Sequence, residues 1–280
     1  MEQQRHGARR IAFFARATRS KRNRSQFKPR LSGVMEQMMA HLRQAGAQVD
    51  IVVPEAERID LGTLRPEYDL YLLKSKSTLT FALASALEAH GASVLNTFRA
   101  THLTKDKTAG TAVIAMAGVP VPGSWAVADS GALEPVLREG PLWLKPRRGS
   151  MGKGIRRVTT AKELAECEVG PDEALLAQQE VPSHGHDLKI YVVGERVWAI
   201  TRPYPARTEE EKRGEAAPVT PEIRDGALAC GRALGLEIYG VDFLTHEDRF
   251  WVVDVNAFPS YKGIPEAPSA LAAYVLERAR

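Results

Sequence analysis

The chain has 280 residues, 44% of them hydrophobic, with a formal net charge of +4 and two cysteines. That length holds one large domain or two to three small ones, with enough apolar residues for a packed core rather than overall disorder. Cys167 and Cys230 are too few for a disulfide framework, no apolar run approaches the roughly 20 residues of a membrane helix, and the polar, basic N-terminus lacks the apolar segment of a signal peptide. A cytoplasmic location without membrane attachment is therefore expected.

The positive charge is uneven. Arg16, Arg19, Lys21, Arg22, Arg24, Lys28 and Arg30 crowd one segment. Phe27 is the only aromatic residue among them, so nucleic acid is not the expected partner. An anionic acceptor and a solvated loop remain the two readings.

In chain order, Ile11 to Ala15 reads as a buried strand, and Leu31, Val34, Met35, Met38 and Leu42 recur at helical spacing. Strands follow over Val49 to Val53 and Asp69 to Lys74, then a helix over Leu79 to Ala89 stopped by Gly91, then a strand over Ser93 to Leu95. Alternating strands and helices predict a small parallel-sheet α/β unit, residues 1–99. Thr104 to Ala117 is a predicted helix ended by Gly118, and Val119 to Pro122 an extended connector. Trp125 to Val127, Leu142 to Lys145, Ile155 to Val158 and Leu175 to Val181 are predicted strands. A hairpin covers His186 to Val193 and Arg196 to Arg202, with Gly194-Glu195 as its turn. Arg207 to Pro218 is charged and apolar-poor, the pattern of a loop. A helix runs from Ile223 to Leu234 with Gly235 as its stop, a second hairpin follows, and residues 265–280 hold a terminal helix.

The last hairpin is the most informative segment. Its arms are Ile238 to Leu244 and Phe250 to Asn256, and closing the turn at His246 and Phe250 places Asp242 opposite Asp254. Opposed like charges destabilise an antiparallel pair, and a divalent cation would remove that penalty. Asn256 lies two residues beyond Asp254, on the same face. Two carboxylates and an amide oxygen make a hard, incomplete site of the kind Mg²⁺ completes with water and phosphate oxygens. Scattered surface acids are the alternative.

Lys145 to Ile155 is a basic, glycine-rich loop between two strands, and glycines let backbone N–H groups approach a phosphate. It is neither a Walker A loop nor a dinucleotide fingerprint. Lys145 would end its strand pointing at a phosphate in that loop. In the Gly194-Glu195 hairpin, registration pairs Asp187 with Arg202, Lys189 with Ile200 and Tyr191 with Trp198, so Asp187, Lys189 and Arg202 share a face. A cross-strand ion pair and a ribose-binding carboxylate beside phosphate-binding cations both fit. His184, His186 and His246 lack zinc-ligand spacing, Ser150 lacks a nucleophile-elbow context, and neither cysteine is marked as reactive.

Taken in order, these segments resemble the ATP-grasp superfamily, most closely the RimK-type glutamate ligases and the inositol-trisphosphate kinases. The resemblance rests on Lys105-Asp106-Lys107, Ala117 to Pro122, Lys145-Pro146 with Gly149 to Ile155, Gln178 to Val181, Asp187 to Gly194, Gly240-Val241-Asp242 and Asp254 to Pro259. It implies an α/β chain in which an ATP-grasp fold, two α+β subdomains gripping ATP over about 104–180 and 181–280, follows the small parallel-sheet N-terminal domain. It implies phosphate contacts from Lys107 and Lys145, a covering loop with Ser150, Met151, Gly152 and Gly154, and an adenine hinge at Gln179, Glu180 and Val181. It further implies ribose at Asp187, a phosphate at Lys189, and Mg²⁺, with Mn²⁺ as the alternative ion, at Asp242, Asp254 and Asn256. Arg202 is the candidate to stabilise the transferred group, with Lys189 beside it.

The two branches imply different chemistry. In the ligases a substrate carboxylate attacks the γ-phosphate and an amine displaces phosphate from the acyl phosphate; in the kinases a hydroxyl takes the phosphoryl group directly. Asp-Val-Asn at 254–256, the ending Phe258 to Gly263 with Lys262, and Lys74 after the third strand resemble the kinases. The loops Lys212 to Val219 and Gly149 to Gly152 resemble the ligases, although Glu210 stands where those often carry asparagine. Ligation is the expected activity, hydroxyl phosphorylation the alternative, and a non-catalytic ATP-binding module a third reading. The acceptor is expected to be an anionic small molecule or peptide, held by Arg19, Lys21, Lys74 and Lys262. Many relatives associate, which leaves a homo-oligomer open.

Overall fold

The structure is a computed structural model, and it describes residues 8–19, 27–149, 154–170, 173–204, 206, 208–247 and 249–279. Its N-terminal strands and helices are β1 (Arg10–Phe14), β2 (Arg16–Arg19), β3 (Phe27–Arg30), α1 (Gly33–Gln44), β4 (Gln48–Val52), β5 (Leu70–Leu73), α2 (Thr78–Ala89) and β6 (Val94–Leu95). Strands β4-β1-β5-β6 form a parallel sheet in that order. Alternate residues of β1 serve its two faces. Ile11 and Phe13 meet Met35, Met38 and Leu42 of α1, while Ala12 and Phe14 meet Phe81, Ala84 and Leu87 of α2. Ser77 caps α2 by accepting from the Thr80 N–H.

Helices α3 (Phe98–Leu103) and α4 (Lys107–Met116) follow, then β7 (Ser124–Val127), α5 (Glu134–Leu137), β8 (Leu142–Pro146), β9 (Arg156–Val158), α6 (Ala161–Ala165) and β10 (Leu175–Gln179). The expected helix over Thr104 to Ala117 is thus shorter: Asp106 caps α4 by accepting from the Ala109 N–H, which starts the helix at Lys107. Strands β7-β10-β8-β9 form an antiparallel sheet. Leu142 and Leu144 face its core, and Trp143 and Lys145 the other side.

The remaining elements are β11 (His186–Val193), β12 (Arg196–Pro203), β13 (Glu215–Ala217), α7 (Pro221–Leu234), β14 (Ile238–His246), β15 (Arg249–Ala257) and α8 (Ala267–Arg278). Strands β13-β12-β11-β14-β15 make a third, antiparallel sheet. Thr220 caps α7, Pro221 occupies its first turn, and Gly235 ends it at φ 71°, the left-handed conformation that favours glycine. One core runs from Ile11, Phe13 and Met38 through Phe258 and Tyr261 to Leu271 and Val275, so the N-terminal and C-terminal sheets share apolar packing. Truncating Phe13 or Phe258 there would cost about 3–5 kcal/mol.

Three expectations are corrected. The described arms of the basic segment pair as strands, β2 with β3, Arg16 opposite Arg30. The charged stretch before α7 is not all loop, because Glu215–Ala217 pairs with β12 as an edge strand. The last turn closes at His246 and Arg249 rather than Phe250; Asp242 still pairs with Asp254 because a β-bulge between Asp242 and Phe243 shifts the register by one residue.

Candidate active site

A row of charged side chains crosses four neighbouring strands of the third sheet. On β12 and β11, Arg202 and Asp187 are register partners, and the guanidinium donates to both carboxylate oxygens at 2.6 and 2.8 Å. Two residues along β11, Lys189 is the register partner of Asp242 on β14, with Nζ 2.5 Å from Oδ1. Arg202 Nη2 also reaches Asp242, at 3.3 Å. Asp242 pairs with Asp254 on β15, whose Oδ2 accepts from Asn256 Nδ2 at 2.8 Å. The strand period alone places these residues on one face.

The other elements bring cations to this row. Lys107 sits in the first turn of α4, where its backbone N–H donates to the Arg147 carbonyl at 2.9 Å and its Nζ to Asp254 Oδ1 at 2.8 Å. Lys145 is 7% exposed on β8; its Nζ donates to Gln178 Oε1 at 2.5 Å and to the Val253 carbonyl at 3.2 Å. Burial pushes its ammonium down to about 8, against the pull of Asp254 and Asp242. Burial also raises the Asp254 carboxyl, but Lys107, by charge and hydrogen bond, outweighs it and holds the group below the usual carboxylate range. For Asp187, at 3% exposure, burial wins over Arg202 and the carboxyl is raised.

Five cations, Lys76, Lys107, Lys145, Lys189 and Arg202, surround three carboxylates, Asp187, Asp242 and Asp254. The surplus suits a polyanion such as a triphosphate. Among the described residues, no group of three or more His, Cys, Asp or Glu side chains forms a ready cation cage. Two carboxylates and an amide suit an ion that takes its remaining oxygens from phosphate and water, so the donor set fits Mg²⁺ with a nucleotide.

Beside this row, an open cleft is lined by Pro122, Trp143, Lys145, Gln178, Gln179, Val181, Tyr204, Leu244 and Val253. The backbone N–H groups of Gln179 and Glu180 are taken by the carbonyls of Gly123 and Pro141. The Glu180 carboxylate accepts from Arg157 at 2.7 Å twice and from Trp143 Nε1 at 3.2 Å, fastening β9 to the end of β10. Gly154 has φ 76°, and a Cβ there would lie 2.8 Å from Pro146 Cγ, so the glycine lets the backbone at this position pass close to the end of β8. Ser150, Met151, Gly152 and Lys21, like Arg22 and Arg24, lie outside the described residues.

The described residues expected to hold an acceptor each contact protein groups. Lys74 Nζ donates to the carbonyls of Phe258 and Pro259 at 2.5 and 3.1 Å, bracing the turn after β15. Lys262 pairs with Glu209. Arg19 lies over the Phe27 ring, 5.4 Å from its centroid, within the β2–β3 ribbon. The Asp187–Arg202 pair engages both oxygens of Asp187, so its carboxylate anchors the guanidinium.

Two residues in the site carried no role in the sequence reading. Tyr204 lines the cleft, and its phenol is raised by burial and then by the nearby Asp187, Asp242 and Asp254. The signal was the strand period, since Tyr204 continues the face of Arg202. Lys76 lies within electrostatic reach of Asp254, two residues beyond Lys74. Cys167 and Cys230 are free and buried, and burial pushes the Cys230 thiol up to about 12, which leaves it unreactive.

The sequence pattern of the RimK-like ATP-grasp domain matches residues 104–276. The chain belongs to that family. It is an ATP-grasp enzyme of the ligase class, with ATP as its nucleotide. It is 28% identical over 251 residues to a "Probable alpha-L-glutamate ligase" of Alkalilimnicola ehrlichii, covering 80% of this chain and 83% of that protein. A protein of the same description from Picosynechococcus is 29% identical over 213 residues, 70% of this chain and 71% of its own. Among solved structures, the fold is similar to a RimK domain ATP-grasp protein of Sphaerobacter thermophilus, at TM-score 0.72 and 20% identity over 95% of this chain and 98% of that one. It is also similar to the ATP-grasp ligase PsnB in complex with a minimal precursor, Mg and ADP, at TM-score 0.71 and 18% identity over the full length of both chains. The α/β ATP-grasp architecture expected from the sequence is therefore present. Among the described residues no helix is long and apolar enough to cross a membrane.

Proposed function

We propose that the chain is a Mg²⁺-dependent carboxylate–amine ligase that works through an acyl phosphate, with an amino acid or peptide of anionic character as acceptor. The observation that carries this reading is the facing pair Asp242 and Asp254, each neutralised by a lysine from a different element and continued by Asn256. In this reading the division runs at about residue 99, and the ATP-grasp part splits near residue 180. Asp242, Asp254 and Asn256 hold Mg²⁺, which neutralises phosphate charge when bound. Lys107 and Lys145 hold phosphate oxygens, and the cleft at Gln179, Val181 and Tyr204 takes the adenine.

The chemistry asks for positioning and charge neutralisation more than for a protein nucleophile. The acceptor carboxylate oxygen attacks the γ-phosphorus while the bond to the β-phosphate oxygen breaks. The amine then attacks the acyl carbon, phosphate departs with the C–O electron pair, and the amine loses a proton. Arg202, clamped by Asp187, and Lys189 present fixed positive charge to the phosphoryl oxygens as negative charge moves between them. Two relatives named for glutamate ligation make L-glutamate the first acceptor to try.

The test is phosphate release from Mg·ATP with L-glutamate and a panel of amines, with hydroxylamine added to trap an acyl phosphate. Release that needs a carboxylate, together with a hydroxamate product, supports the ligase. A phosphorylated hydroxyl without free phosphate would overturn it.

A further inference from the structure

Lys76 lies beyond the roles just described. It follows β5 of the N-terminal sheet, outside the ATP-grasp sheets. Its segment is pinned at every second residue. The Ser75 backbone N–H donates to the Phe14 carbonyl at 2.8 Å, and Ser75 Oγ accepts from Thr80 Oγ1 at 3.0 Å. Ser77 caps α2. Between them the Lys76 carbonyl accepts from Lys105 Nζ at 2.6 Å. Lys105 stands two residues before Lys107, which pairs with Asp254. This chain of contacts fixes Lys76 against the edge of the charged row.

Neighbouring lysines spend their charge on protein groups. Lys74 caps two carbonyls, Lys107 and Lys189 pair with carboxylates, and Lys145 binds Gln178 and Val253. The Lys76 ammonium has neither a hydrogen bond nor an ion pair with any described residue, although it is half-buried and within electrostatic reach of Asp254, Lys105, Lys107 and Lys189. A half-buried cation among three others, two of which already hold Asp254 and Asp242, is short of negative charge. Burial, opposed by Asp254 and reinforced by the three lysines, pushes it down to about 8, which an arriving anion would reverse.

We propose that Lys76 is a catalytic residue that binds the transferred phosphoryl group, so that the N-terminal sheet closes the phosphate site with a cation of its own. The inference rests on the nucleotide reading above and deepens it. As the carboxylate oxygen bonds to the γ-phosphorus and ADP leaves, the phosphoryl oxygens stay beside Lys76 in the acyl phosphate. Because the turn that holds Lys76 belongs to the N-terminal sheet, phosphoryl transfer is coupled to correct seating of that sheet. A preorganised charge at this position is worth about 100-fold in transition-state binding.

The test needs no acceptor. Melting temperature is measured with Mg·ADP, then with Mg·ADP and aluminium fluoride, a mimic of the phosphoryl group in flight. In the wild type, ADP raises the melting temperature and aluminium fluoride raises it further. Lys76→Met keeps the ADP increment, loses the second, and binds aluminium fluoride at saturating Mg·ADP about 100-fold more weakly. Lys76→Arg restores part of it, and Lys76→Gln serves where the methionine variant fails to fold. A full second increment without the lysine, or none in the wild type, overturns the inference and leaves the nucleotide reading standing. No ADP increment in the wild type overturns both.

Discussion

The carbonyl of Val253 faces the Lys145 ammonium at 3.2 Å because Val253 is the extra residue of the β-bulge in β15. Asp254 pairs with Asp242 and Val252 with Phe243, which leaves Val253 without a partner on β14. A bulged residue drops out of the ladder and can turn its carbonyl elsewhere. The bulge thus does two things at once. It keeps the two acids opposite each other, and it joins the central sheet to the third sheet through a lysine suited to a phosphate.

The depressed Lys145 ammonium makes nucleotide binding pH-dependent. Below about 8 the lysine is charged in the free protein, and a bound phosphate raises its pKa by attracting the charged form. Above that point binding must take up a proton, so affinity falls as pH rises, by up to about tenfold per unit. Calorimetry with Mg·ADP between pH 7 and 9.5, in buffers of different ionisation enthalpy, reads both the affinity and the proton uptake. Lys145→Arg should flatten the profile, and Lys145→Met should weaken binding at every pH. A flat wild-type profile would remove Lys145 from the nucleotide site.

Asp254→Asn removes one of two carboxylates from the proposed ion site and the partner of Lys107. Turnover should fall by orders of magnitude, and the Mg²⁺ concentration for half-maximal activity should rise. The apolar residues of β15, Val252 and Val255, are untouched and buried, so cooperative melting should survive. Unchanged Mg²⁺ dependence would mean that the hairpin does not hold the ion.

Asp187→Ala leaves Arg202, 17% exposed as a side chain, with only the 3.3 Å contact to Asp242. Removing one partner of a buried pair costs about 3–5 kcal/mol, because the other charge stays behind. A ribose contact alone would leave stability unchanged and weaken only nucleosides with a 2′- or 3′-hydroxyl. Denaturant melts, alongside binding of ADP and its dideoxy analogue, separate the two.

The strand period made most of this legible. The Asp187–Arg202 register and the Asp242–Asp254 facing pair both follow from counting alternate residues out from a turn, and the structure has both. The turn residues of β14–β15 were misplaced by one, because nothing in Phe250 to Val255 marks which residue is bulged. The pairing of β2 with β3 was hidden by its charge, since two arginines opposite each other argue against pairing. Lys74 and Lys262 were chosen by resemblance as acceptor-binding cations, and both have partners far away in sequence, Phe258, Pro259 and Glu209. No local pattern foretells such contacts. Lys76, two residues on and with no hydrogen-bond or ion-pair partner among the described residues, was the less conspicuous of the pair.

Asn96 shows how the N-terminal sheet is seated, and it gives the last prediction. It is fully buried just after β6; its Nδ2 donates to the Ile238 carbonyl at 2.7 Å, and its Oδ1 accepts from the N–H groups of Glu237 and Ile238 at 2.8 and 3.0 Å. One side chain therefore satisfies three backbone groups at the start of β14, the strand that carries Asp242. Asn96→Ala would leave buried backbone groups unpaired, each costing about 1–3 kcal/mol, with a net loss of about 3 kcal/mol because the terms overlap. Asn96→Asp keeps the acceptor for the two N–H groups but sets a carboxylate against the Ile238 carbonyl, and should be at least as harmful at neutral pH. Acidification should then recover part of the loss, because a protonated carboxyl can donate to that carbonyl. Chemical denaturation of both variants at pH 5 and pH 8 measures this directly. If the aspartate variant is insensitive to pH, Asn96 does not act through the Ile238 carbonyl.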